Sequence, residues 1–176
     1  AHLVLLTGEP GIGKSRLAQE LGRHVQADGN KVATARAYEA AGRLPWGPVA
    51  DLLRSESIRR QVGTLGPAWT NELAMLLPEL GSTVSQSATG GADSVSRRHR
   101  LFDAVCRAIA AHDRALVLII DDLQWCDTET IEWIGYLLRA YSQLPVLIVG
   151  TVRWEELPDG HLLPELADAL QREKAV

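Results

Sequence analysis

Residues 8 to 15 read Gly8-Glu9-Pro10-Gly11-Ile12-Gly13-Lys14-Ser15, the spacing G-x-x-x-x-G-K-[ST]. Each fixed position suits the capture of a polyphosphate. Glycines let the backbone turn tightly, so that its N–H groups converge on phosphate oxygens. Lys14 supplies a point charge for the β- and γ-phosphates, and the Ser15 hydroxyl a ligand for Mg²⁺. The positive end of the helix that follows adds to the anion site. Arg16 stands one residue beyond and completes the candidate nucleotide-binding stretch.

A second cluster supplies acid. Leu116-Val117-Leu118-Ile119-Ile120 runs straight into Asp121-Asp122. Five apolar residues ending in carboxylates describe a buried strand whose exit presents acids at the C-terminal edge of a sheet, where ligands of open α/β sheets sit. Asp121 is expected to share Mg²⁺ with Ser15, and Asp122 to polarise an attacking water. Another apolar run, Val146 to Gly150, leads to Thr151-Val152-Arg153. Thr151 or Arg153 is placed to contact a γ-phosphate there. The competing role for Arg153 is a surface pair with Glu155 or Glu156.

Other polar residues have plainer explanations. Asp127 precedes a helix and reads as its N-cap. Trp125 is expected to pack beneath the site. Arg97-Arg98-His99-Arg100 reads as a solvated helix start, with an arginine finger as the alternative. The two cysteines and scattered histidines have no zinc-binding spacing.

The elements that position these groups follow from periodicity. Leu3 to Leu6, Lys31 to Ala37, Leu116 to Ile120 and Pro145 to Gly150 read as strands. Helices are expected over Lys14–Asp28, Val49–Val62, Ala68–Leu77, Val95–His112, Thr128–Ser142 and Leu162–Lys174. Leu17, Leu21 and Val25 form an apolar stripe on the first helix. Gly42 to Pro48 and Gly81 to Ser94 read as loops. Helices alternating with continuously apolar strands imply an α/β fold, with a parallel sheet covered on both faces.

With 176 residues the chain suits one domain. A net charge of −4 argues against gripping a nucleic acid directly. The sequence shows neither a membrane-spanning run nor a leader, and its cysteine usage fits a reducing cytoplasm. The abrupt ends suggest a domain, residues 1–176, excised from something larger.

The P-loop, the stretch Ile119-Ile120-Asp121-Asp122-Leu123-Gln124-Trp125-Cys126-Asp127 and Gly150-Thr151-Val152-Arg153 together resemble AAA-like ATPases. The narrower resemblance is to signal-transduction ATPases with numerous domains, in particular large LuxR-type bacterial transcriptional regulators. Leu44-Pro45-Trp46-Gly47-Pro48 and Leu76-Leu77-Pro78-Glu79-Leu80 resemble the middle segment of that group. The resemblance implies a P-loop NTPase three-layer sandwich with strand order 5-1-4-3-2, the fifth strand truncated here. It implies an ATP/ADP switch with Mg²⁺ and slow hydrolysis, acting with other domains and by ATP-dependent self-association. Asp122 stands where many such ATPases carry Glu, which fits slow turnover. Two alternatives stay open: a small-molecule kinase on the same scaffold, and a nucleotide-stabilised interaction module, with Trp46 and Trp69 as partner-facing surfaces.

Overall fold

A computed structural model describes residues 1–39, 45–80, 94–112 and 114–174. The Gly81–Ser94 loop lies almost wholly outside them, as does part of Gly42–Pro48. Four strands form the sheet: β1 (His2–Thr7), β2 (Lys31–Arg36), β3 (Leu116–Asp121) and β4 (Val146–Val152). Their order is β1-β4-β3-β2, and all neighbours run parallel. This is the 1-4-3-2 part of the expected order, and no fifth strand occurs among the described residues. The register levels the strand ends. Thr7 lies opposite Val152, and Arg36 opposite Asp121. The residues leaving each strand therefore arrive at one edge.

β3 is buried on both faces over Leu116–Ile120, as its continuous apolar run requires. The helices are α1 (Lys14–Ala27), α2 (Gly47–Arg54), α3 (Glu56–Val62), α4 (Pro67–Leu73), α5 (Ser94–Ala110), α6 (Thr128–Ala140) and α7 (Leu163–Lys174). α1 covers one face, over a small core of Ala18, Val32, Val117, Ile119 and Val149. α2 to α7 contribute to the larger core on the other face, which includes Leu53, Val105, Leu118 and Trp133. No helix of the described residues is long and apolar enough to cross a membrane.

Three expectations are corrected. Of the Leu17–Leu21–Val25 stripe, Val25 packs against the core under α1, but Leu17 is 59% and Leu21 37% exposed, and the buried residues of the helix are Ala18 and Gly22. Close approach explains the choice. A Cβ on Gly22 would stand 3.0 Å from Ile119 Cδ1, so small residues define the contact and the larger leucines are displaced to the flank. The expected helix Val49–Val62 is two helices, α2 and α3, broken at Ser55 (ψ 142°). The Ser55 hydroxyl donates to the Leu52 carbonyl at 2.6 Å, the local competition that makes serine a poor helix interior. The helix expected over Ala68–Leu77 ends at Leu73 and continues as turns that still bury Leu77.

Candidate functional site

Between Thr7 and Lys14 the chain makes a loop that only glycine accommodates without strain. Gly8, Gly11 and Gly13 have φ of 140°, 80° and 104°. A Cβ at Gly11 or Gly13 would meet nothing within 4 Å, so it is conformation rather than crowding that selects glycine there. The Lys14 ammonium folds back over the loop and donates to the carbonyls of Gly8 (2.6 Å) and Glu9 (3.0 Å). Pro10 and Ile12 are exposed at the tip.

Beside the loop lies a cavity of about 160 Å³ lined by Gly11, Gly13, Lys14, Ser15, Arg16, Asp122 and Arg153. Three cationic side chains and one acid surround it, the balance that suits a polyphosphate. These residues come from the loop, the start of α1 and the ends of β3 and β4, as the sequence predicts.

The acidic strand end is built differently. Asp121 Oδ1 accepts hydrogen bonds from Ser15 Oγ (2.7 Å) and Thr151 Oγ1 (2.6 Å). A hydroxyl and a carboxylate meeting at one point are hard oxygen donors of the kind Mg²⁺ takes. The residues present therefore fit that ion. Thr151 is buried and its hydroxyl also accepts the Asp122 N–H at 2.8 Å. Its hydrogen-bonding capacity thus goes to the two acids.

Asp122 is left-handed (φ 61°, ψ 52°), a conformation Asp tolerates better than most residues. There the chain leaves the strand for a 3₁₀ turn, Leu123–Trp125. That turn packs on β4 at Gly150, where a Cβ would overlap the Leu123 side chain. Asp122 is 7% exposed, and both its oxygens are engaged. Oδ2 accepts from Arg36 Nη2 (2.9 Å) and Nε (3.2 Å). Oδ1 accepts from Gln124 Nε2 (3.3 Å) and lies 3.8 Å from Arg153 Nη2. Arg153 also donates to Glu156 Oε1 at 2.8 Å, and this bond raises its pKa above the usual guanidinium value. It thus combines the pair with Glu156 and a place in the cavity.

Asp127 caps α6, accepting the Thr130 N–H at 2.8 Å and the Thr130 hydroxyl at 2.7 Å. It also accepts the backbone N–H of Trp46 at 3.0 Å, which ties the start of α2 to the turn after β3. Trp46 is buried edge-on against Phe102, and so is part of the core rather than a partner-facing surface. Trp69 is half-buried beneath the Arg107 guanidinium, 4.3 Å from its ring centre. Trp125 packs against the large core. Arg98 pairs with Glu132 at 2.8 Å and Arg100 with Glu72 at 2.9 Å, consistent with a solvated helix start.

Two contributors escape the sequence reading. Arg36 is the last residue of β2, and only the register that sets it opposite Asp121 reveals its reach to the acids. Gln124 sits among apolar residues in a short turn, and nothing in its spacing marks it.

A family model described as "AAA ATPase domain" matches residues 1–149. The chain belongs to that family. It is also similar to an uncharacterized protein of Rhizobium meliloti (strain 1021), 26% identical over 170 residues, which cover 86% of this chain and 16% of the relative. The chain thus spans about one sixth of the length of the curated relative it matches.

Proposed function

We propose that this domain binds ATP with Mg²⁺ and hydrolyses it slowly, as the switch module of a larger cytoplasmic regulator. The observation that carries the reading is the meeting of Ser15 Oγ and Asp121 Oδ1, 2.7 Å apart, beside the glycine loop and Lys14. Two halves of the sequence, 106 residues apart, join there into one oxygen site next to a cationic cradle.

In this reading Lys14, Arg16 and the loop N–H groups hold the phosphates. Ser15 and Asp121 hold Mg²⁺, which when bound neutralises charge on the phosphoryl oxygens. Asp122 Oδ1, on the same side as Arg153, accepts a proton from the attacking water. Arg153 stabilises charge on the γ-phosphate and reports its presence. Adenine as the base follows from family membership. The choice of a LuxR-type transcriptional regulator, one of the signal-transduction ATPases with numerous domains, rests on the D-D-L-x-W-x-D stretch. Its partners would be the other domains of the parent chain and other copies of itself, with no direct grip on DNA by this domain.

One observation favours a second reading, in which the domain binds nucleotide without turnover. Both Asp122 oxygens are already engaged by Arg36 and Gln124. Phosphate release from Mg-ATP separates the two. On the hydrolytic reading Asp122→Asn lowers kcat about 10²- to 10⁴-fold, the range of general-base catalysis, and leaves ATP affinity unchanged. Equal release by the wild type and Asp122→Asn contradicts the role given to Asp122. ATP binding by the wild type without any release establishes the passive module.

A further inference from the structure

We propose that Gln124 is the positioning residue that aims Asp122 for turnover and couples it to the strand end carrying Arg153. The inference rests on the hydrolytic reading of Asp122. It begins from an anomaly: Gln124 is fully buried although its side chain is a polar amide. Such a group is retained when its hydrogen bonds are satisfied. Here both ends are committed to the site. Oε1 accepts the Arg153 N–H at 3.2 Å. Nε2 donates to Asp122 Oδ1 at 3.3 Å and reaches Glu156 Oε2 at 3.5 Å, the outer limit of a hydrogen bond.

These contacts fix which way the amide points. Rotated by half a turn, its carbonyl would face the Asp122 and Glu156 carboxylates, and its NH₂ would face the Arg153 N–H. Every contact would turn repulsive. The charged groups around it are Asp122 at the end of β3 and Arg153 and Glu156 after β4, with Arg36 of β2 on the far oxygen of Asp122.

The chemistry of the donor matters as much as its position. Asp122 lies outside regular strand geometry, so its side chain depends on partners for its aim. Arg36 holds Oδ2 through a side chain that is 54% exposed. Gln124 instead holds Oδ1 with a buried neutral donor. That constrains the oxygen on the Arg153 side without adding a charge. The same amide clasps the backbone of Arg153, so a displacement of that strand end is transmitted to the acid.

Two variants test this, each with ATP affinity by calorimetry, phosphate release across pH and circular dichroism to establish folding. Gln124→Met keeps the length and removes all three of these contacts. It is expected to lower kcat about 10- to 100-fold with ATP affinity unchanged, the effect of a misplaced catalytic group. Gln124→Glu can donate to Asp122 only when the introduced acid is protonated. Facing two carboxylates, that acid has a raised pKa. Its kcat is therefore expected to approach the wild-type value at low pH and to fall as pH rises, a limb the wild type lacks. A purely structural glutamine would lower stability and leave kcat and the pH profile of the folded protein alone; that result overturns the proposal. If Gln124→Glu fails to fold, the kcat of Gln124→Met decides by itself. A wild type that releases no phosphate overturns the hydrolytic reading and the Gln124 assignment with it. A wild type that turns over, with both variants matching it, overturns the Gln124 assignment alone.

Discussion

The two halves of the site solve the problem of holding charged groups in opposite ways. The loop from Gly8 to Ser15 is exposed over much of its length and works through its backbone. Its main internal side-chain contacts are those of Lys14 with two carbonyls. The acidic end from Asp121 to Asp127 is largely buried and is held through side chains. Arg36, Gln124, Thr151, Ser15 and Thr130 converge on its carboxylates from other elements or neighbouring turns. The loop is set by backbone conformation, with its lysine folded onto two of its own carbonyls. An acid that must point one way is surrounded by partners that determine it.

The sharpest way to break this comparison is at the junction of the halves. Asp121→Asn, or Ser15→Ala, removes one oxygen of the pair expected to share Mg²⁺. Affinity for Mg-ATP should fall at least about tenfold, while affinity for ATP in chelator changes little. Equal losses with and without Mg²⁺ would dissolve the junction and leave two unrelated features.

The acidic end is also a structural clamp. Asp127→Ala deletes the cap of α6 and orphans the buried Trp46 N–H. A cap is worth about 1 kcal/mol and an orphaned buried donor about 1–3, so a loss of about 2–4 kcal/mol is expected in denaturant unfolding. The loop should respond less. Gly13→Ala has room for its methyl group and suffers only the left-handed backbone, about 1–2 kcal/mol. A larger loss at Gly13 than at Asp127 would reverse the contrast.

The smallest effect concerns pH. The His161 ring is held neutral: Leu163 N–H donates to Nδ1 (3.2 Å), leaving Nε2 to donate to the Cys126 carbonyl (3.3 Å). Burial lowers its pKa, against the opposing pull of that carbonyl. The unfolded chain therefore binds the proton more readily. The stability this arrangement contributes is present above about pH 6.5 and is lost as pH falls below it. His161→Gln should flatten that part of the pH–stability curve.

The same contrast explains what the sequence revealed. The loop is local and its chemistry is written in consecutive residues, so Gly8 to Ser15 could be read directly. The acids of β3 were legible because a continuously apolar strand announces where it ends. Arg36 and Gln124 were not, because their reach depends on strand register and on a 3₁₀ turn seated over Gly150. The buried face of α1 is hidden in the sequence for a related reason. Periodicity picks the large apolar residues, Leu17 and Leu21, whereas close helix–sheet approach picks the small ones, Ala18 and Gly22.

The most direct test of a single Mg-ATP site is calorimetric titration of the chain with ATP and Mg²⁺, beside Lys14→Ala. Saturable one-to-one binding is expected, weakened about 10- to 100-fold in Lys14→Ala, the worth of a charge-assisted contact. Absence of binding by a folded wild type, or equal binding by Lys14→Ala, would contradict it.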